Sequence, residues 1–104
     1  MSGKIAVPID HERIRALCEK YHIRRLSFFG SVLRDDFSDT SDVDVLVEFE
    51  SGHTPGFFGL FDIEAELSAH LSGRKVDMRT VEDLSRYFRR QVVDTMVTGY
   101  EAGR

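Results

Sequence analysis

Two aspartates one residue apart, Asp42 and Asp44, head an alternating apolar stretch, and a Gly30-Ser31 step lies ten residues before them. Residues i and i+2 of a strand point to one face, roughly 6–7 Å apart along the chain. Two carboxylates so placed can share divalent cations, and hard oxygen ligands select Mg²⁺ or Mn²⁺ over softer metals. With no cation, two such charges repel. Gly30 lets the backbone approach a phosphate with no Cβ in the way. Ser31 offers a hydroxyl, and amides opening a helical turn face an anion favourably. Arg34, one turn on, is within reach of a triphosphate. A third carboxylate, Asp77, lies in a stretch where Val76 and Met78 face the other way. If that stretch pairs with 43–49, Asp77 faces Asp42 and Asp44. It can then complete a metal's ligand shell and help deprotonate an attacking hydroxyl. Any one of these features in isolation is more often a plain turn or a solvated strand residue. Together they are the parts of metal-assisted phosphoryl or nucleotidyl transfer.

The elements that must position them are short. Asp10 stands at an N-cap, with Ile14, Leu17, Cys18 and Tyr21 at helical spacing after it and Ile9 placed to staple Ile14. Arg25 to Phe29 reads as a strand ended by Gly30, and residues 31–34 as one helical turn. Val43, Val45, Val47 and Phe49 alternate with Asp42, Asp44, Leu46 and Glu48, a strand with one apolar face. Leu60, Ile63, Leu67 and Leu71 mark a second helix, stopped at Gly73 as a C′ glycine. Lys75 to Arg79 is a short strand. Leu84, Phe88, Val92 and Met96 mark a last helix running to about Val97. On that helix Val93, Val97 and Tyr100 form a separate stripe that could serve as partner surface. The order predicts an α/β (α+β) fold, a small mixed sheet with helices packed mainly on one face.

Composition bounds the rest. At 104 residues the expectation is one domain over 1–104, able to bury roughly 65% of its unfolded surface. The net charge of −4, from 14 basic and 18 acidic residues, argues against a module that binds nucleic acid by neutralising phosphates. The single Cys18 excludes an internal disulfide and a multi-cysteine metal site. No apolar run approaches the roughly 20 residues of a membrane span, so a cytoplasmic setting is expected. His11, His22, His53 and His70 show no metal-ligand spacing and read as surface or loop residues, with His53 placed in a turn from which it could reach a nucleotide. Arg86, Arg89 and Arg90 read as a solvated basic face.

Gly30-Ser31, ten residues, then Asp42-Val43-Asp44 resembles the GSx₁₀DxD signature of the DNA polymerase β-like nucleotidyltransferases. The runs SDVDVLVEFE, HTPGFFGL and GRKVDMRT are similar to the minimal nucleotidyltransferases, the MNT family, and the likeness spans about residues 10–100. The resemblance implies a polymerase β palm-like fold. It implies Asp42, Asp44 and Asp77 as catalytic acids and Mg²⁺ ligands, two ions being expected, and Gly30, Ser31 and Arg34 as nucleotide-binding residues. It further implies an antitoxin acting on a HEPN-type ribonuclease toxin by moving AMP from ATP to a tyrosine hydroxyl. A binding-only antitoxin, or transfer to a small molecule or an RNA end, remains as the alternative. The family commonly follows Gly-Ser with a small residue, then Arg and Gly. Here Leu33 replaces the small residue and Asp35 the glycine, and Asp36 adds further negative charge. A chain of this size has no room for an acceptor-binding domain, so the acceptor is expected on a partner.

Overall fold

The computed structural model describes residues 9–33, 41–53, 55–80, 83–84 and 86–102, with the backbone alone at 31, 57–58 and 86–89. Helix α1 spans His11–Tyr21 and strand β1 Ile23–Phe29, followed by a 3-10 turn, Gly30–Leu33. Strand β2 is Val43–Phe49, helix α2 Phe57–His70 and strand β3 Val76–Thr80. Helix α3 is Arg86–Thr95 and strand β4 Val97–Glu101. The four strands form one sheet in the order β3-β2-β1-β4. Strand β1 runs antiparallel to both β2 and β4, whereas β2 and β3 are parallel and joined through α2, so the sheet is mixed as expected.

Local chemistry sets the helix ends. The Asp10 carboxylate accepts from the Glu12 and Arg13 amides at 3.1 and 3.3 Å, closing the first turn of α1. Ile9 packs on the core beside that cap. Helix α2 ends in a Schellman arrangement in which the Gly73 N–H donates to the Ser68 carbonyl at 2.8 Å. Ser72, at φ 63°, takes the left-handed C′ position, one residue earlier than the glycine that the sequence offers for it.

The alternation of β2 separates two cores. Val43, Val45 and Val47 face α1 and α2 and bury against Ile14, Leu17, Cys18, Ile63 and Leu67. Leu46 faces the other way, into a smaller cluster with Phe29, Leu84 and Val92, edged by Met96. Two helices therefore cover one face and α3 the other. At the β3 edge, the Met78 N–H donates to Glu64 of α2 at 2.8 Å, which ties that edge to the helix beside it. On the same side Glu66 of α2 accepts from Lys20 at 3.0 Å and from the Tyr21 hydroxyl at 2.8 Å, joining α2 to α1.

Strand β4 departs from the sequence reading. The helical spacing predicts a helix to about Val97, but α3 stops at Thr95 and the chain returns along β1. Thr95, Val97 and Thr98 are β-branched and lose side-chain freedom in a helix, whereas an open sheet edge offers them backbone bonds. Val97 and Tyr100 therefore lie on a strand, Tyr100 packed on the main core, and the helical stripe with Val93 does not exist.

Candidate functional site

The site grows from one row across the sheet. Phe29 is the register partner of Asp44 in β1–β2, and Asp44 is the register partner of Asp77 in β2–β3. Neighbouring strands lie about 4.8 Å apart, so the row places two carboxylate-bearing residues side by side on one sheet face. It is the face of Leu46, opposite the valines, and both aspartates are half-buried. Asp42 immediately precedes β2, also half-buried, where the Val43 N–H donates to the Lys75 carbonyl at 2.8 Å and extends the parallel ladder. The pairing of the Asp77 strand with the Asp44 strand is thus the one the sequence required.

Gly30 follows Phe29 at the end of the same row and turns the chain with φ 73°. A Cβ at this position would overlap the Asp44 carboxylate, Oδ2 foremost. Only glycine satisfies both the left-handed turn and the approach to Asp44. Ser31 occupies the 3-10 turn that follows, and Leu33 packs against the main core. Arg34, Asp35 and Asp36 lie outside the described residues. Beside Gly30 opens a cleft of about 440 Å³, lined by Phe29, Gly30, Gln91, Val92, Asp94 and Thr95. The volume is that of a small-ligand pocket. Helix α3, whose role the sequence did not suggest, forms its outer wall.

Arg79, which the alternation of 75–79 puts on the Asp77 side without suggesting a role, is a further member of this site. Two residues beyond Asp77 on the same strand face, it donates from Nη2 to Asp77 Oδ2 at 3.2 Å. The period of two was the signal available, since it carries Arg79 to the aspartate's side. The Asp77 carboxylate is engaged there. Asp42, Asp44 and Asp77 are not drawn into a group with donor oxygens within 4.8 Å of one another. The donor set nevertheless fits a hard divalent cation, being all carboxylate oxygen, on adjacent strands, beside a turn where a Cβ would overlap the Asp44 carboxylate.

His22 and His53 are exposed residues outside the strands, as expected, but they meet in space. Among the described residues, the side chains that do converge within 4.8 Å are His22, Glu50 and His53, at the opposite end of β2 from Asp44. His53 is therefore not placed toward the aspartates. Its nearness to His22 comes from the β1–β2 pairing, in which Ile23 partners Phe49, and no sequence spacing could show it.

A mixed sheet with a Gly-Ser turn beside an in-register aspartate pair is the architecture of a nucleotidyltransferase palm. Comparison with known proteins agrees. The polymerase beta nucleotidyltransferase family matches residues 12–101, and the chain belongs to that family. A candidate protein adenylyltransferase of Methanocaldococcus jannaschii, MJ0128, is 41% identical over 68 residues, covering 65% of this chain and 64% of its own. A solved candidate minimal nucleotidyltransferase superposes with TM-score 0.70 at 31% identity, covering 84% of this chain and 86% of its own. A toxin–antitoxin structure with AMP-PNP shares the fold at TM-score 0.72 and 18% identity, covering 91% of this chain and 76% of that one. Among the described residues, no helix is long and apolar enough to cross a membrane.

Proposed function

We propose that this chain is the antitoxin of a toxin–antitoxin pair and neutralises a HEPN-type ribonuclease toxin by adenylylation, moving AMP from ATP to a tyrosine hydroxyl of the toxin. The observation that carries the reading is the Asp44–Asp77 register pair beside Gly30, in a member of the nucleotidyltransferase family. The naming of a relative as a candidate protein adenylyltransferase supports protein as the acceptor. The shared fold with a toxin–antitoxin structure holding AMP-PNP accords with a toxin partner and a nucleotide substrate.

In this reading Asp42, Asp44 and Asp77 would hold Mg²⁺, two ions with the nucleotide, and the bound metal would neutralise charge at the phosphates and polarise the reacting oxygens. The amides of the Gly30–Leu33 turn and the Ser31 hydroxyl hold the triphosphate, and Arg34 is assigned to nucleotide binding as well. The cleft between Gly30 and α3 receives the nucleoside. Asp77 takes the proton from the acceptor hydroxyl as that oxygen attacks the α-phosphorus, and the bond to pyrophosphate breaks in line with it. Arg79 holds the Asp77 carboxylate turned along the strand until the acceptor arrives.

The test incubates the chain with labelled ATP, Mg²⁺ and the protein of the adjacent gene. Wild type should label that protein and abolish its ribonuclease activity. An Asp42→Ala, Asp44→Ala variant should do neither. Equal labelling by both overturns the reading, and neutralisation by the double variant with no label transferred would make the antitoxin a binding-only one.

A further inference from the structure

A second donor cluster lies at the far end of β2. His22 caps α1 in the left-handed conformation, φ 59°. Glu50 is the first residue past β2, and His53 closes the turn after it, which runs through Gly52 at φ 81°. Glu50 lies six positions from Asp44 along an extended strand, roughly 20 Å, so this cluster is not part of the aspartate site.

Its backbone is tied in two places. The Glu50 N–H donates to the His22 carbonyl at 2.8 Å, and the His53 N–H to the Glu50 carbonyl at 2.9 Å. The two imidazoles stack with centroids 3.9 Å apart and planes 20° from parallel. His22 Nδ1 lies 3.8 Å from Glu50 Oε1, and one donor atom from each of the three residues falls within 4.8 Å of the others. His22, a non-glycine residue at positive φ, is held in a sparsely populated conformation. The conformation is that of a helix cap, the His22 N–H donating to the Cys18 carbonyl.

We propose that His22, Glu50 and His53 form a binding site for a divalent transition metal of the Zn²⁺ class. The donor set is two imidazole nitrogens and one carboxylate oxygen, which suits Zn²⁺ and disfavours Mg²⁺. Zinc–ligand bonds of about 2.0–2.2 Å set tetrahedral donor–donor distances near 3.3 Å. Reaching them from separations of up to 4.8 Å takes a closure of up to about 1.5 Å and a rotation of the stacked rings so that both nitrogens point at one ion, within rotamer adjustment for exposed side chains. Three protein ligands leave a fourth position for water or a further ligand. The metal would join the C-terminus of α1 to the turn after β2, a clamp on the sheet end remote from the aspartates. It differs in chemistry from the carboxylate site, so one chain would sort a borderline and a hard cation to opposite ends of a single strand.

The test uses the full chain carrying Asp42→Ala and Asp44→Ala, so that the carboxylate site does not contribute. Zn²⁺ is titrated calorimetrically, and Co²⁺ is followed by its visible d–d absorption. The expected result is one ion per chain, a Co²⁺ spectrum of nitrogen–oxygen ligation, and no competition from excess Mg²⁺. Adding His22→Ala, Glu50→Gln or His53→Ala should each weaken Zn²⁺ binding at least about tenfold. The circular dichroism should stay unchanged, because all three side chains are exposed. Zn²⁺ should also raise the melting temperature of the parent and not of the His53→Ala chain. Absence of binding by the parent, or binding that survives the combined His22→Ala, His53→Ala substitution, would overturn the proposal. Neither result bears on adenylyl transfer, which the Asp42 and Asp44 substitutions test separately.

Discussion

Asp44 and Asp77 are register partners in the parallel β2–β3 pair, and the guanidinium of Arg79 rests on the second of them. The geometry gives each carboxylate a distinct surrounding: Asp44 is pressed by the Gly30 turn, while Asp77 is drawn along its own strand. A divalent ion shared across the strands needs both. Asp44→Asn and Asp77→Asn should each lower transfer of AMP at least about 10²-fold, the scale of a lost general base or metal ligand. Mg²⁺ should raise the melting temperature of wild type, and the rise should vanish in Asp44→Asn. Thermal scans with and without Mg²⁺ check this. A full Mg²⁺ shift retained by Asp44→Asn would place the ion elsewhere.

Gly30 meets two demands that single substitutions can separate. Gly30→Ala introduces a Cβ at φ 73° and against the Asp44 carboxylate. The left-handed backbone costs about 1–2 kcal/mol for alanine, so urea denaturation should show a loss of at least that order. Gly30→Asn tolerates the left-handed conformation but keeps the Cβ. It should recover most of the stability and little of the activity. Recovery of both would mean that contact with Asp44 is immaterial and only the turn matters.

On the proposed reading, Arg79 sets the charge that a metal would meet at Asp77. Its guanidinium lies on Asp77 at 3.2 Å, and an incoming divalent ion must compete with it. Arg79→Ala removes one positive charge from the neighbourhood. The Mg²⁺ concentration giving half-maximal transfer should therefore fall severalfold, more so at low ionic strength, where exposed charges are least screened. Arg79→Lys keeps the charge and should stay close to wild type. A rise in the Mg²⁺ requirement of Arg79→Ala would instead make the arginine a contributor to metal or nucleotide binding.

Much of this arrangement was legible in the residues because it rests on short-range periodicity. The period of two in 43–49 placed the valines inward and Asp44 outward, and the pattern of 76–79 did the same for Asp77. The Asp10 cap, the end of β1 at Gly30 and the burial of Cys18 are likewise local chemistry. What escaped depends on contacts distant in sequence. Strand β4 exists because β1 offers it an edge, and Val97–Glu101 is too short and too glycine-broken to announce itself. The partition of apolar residues into two cores follows from α3 crossing to the Leu46 face, which its own stripe could not specify. His22 and His53 meet because two antiparallel strands end together. Arg79 was in plain view at i+2 from Asp77, but its bond to Asp77 is a choice of rotamer that spacing does not fix.

Cys18 supplies a readout of the core that does not involve the site. It lies on the inner face of α1, fully buried, and burial pushes its thiol up from 9.0 to about 12, with Glu19 adding to the shift. The thiolate is the reactive form, so the native chain should resist iodoacetamide near neutral pH and react only as it unfolds. The linkage has a definite sign. In the unfolded chain the thiol ionises near its ordinary value, while the folded chain keeps the proton. Unfolding therefore releases a proton once the pH passes about 9, and stability contributed by the neutral thiol is lost as pH climbs toward about 12. Tyr21, raised mainly by its hydrogen bond to Glu66, and Tyr100, raised mainly by burial, act in the same direction, so the comparison must be with Cys18→Ala. Urea denaturation across this range should show wild type losing stability more steeply than Cys18→Ala. Parallel slopes for the two chains, or rapid labelling of native wild type, would mean that α1 opens readily from the sheet.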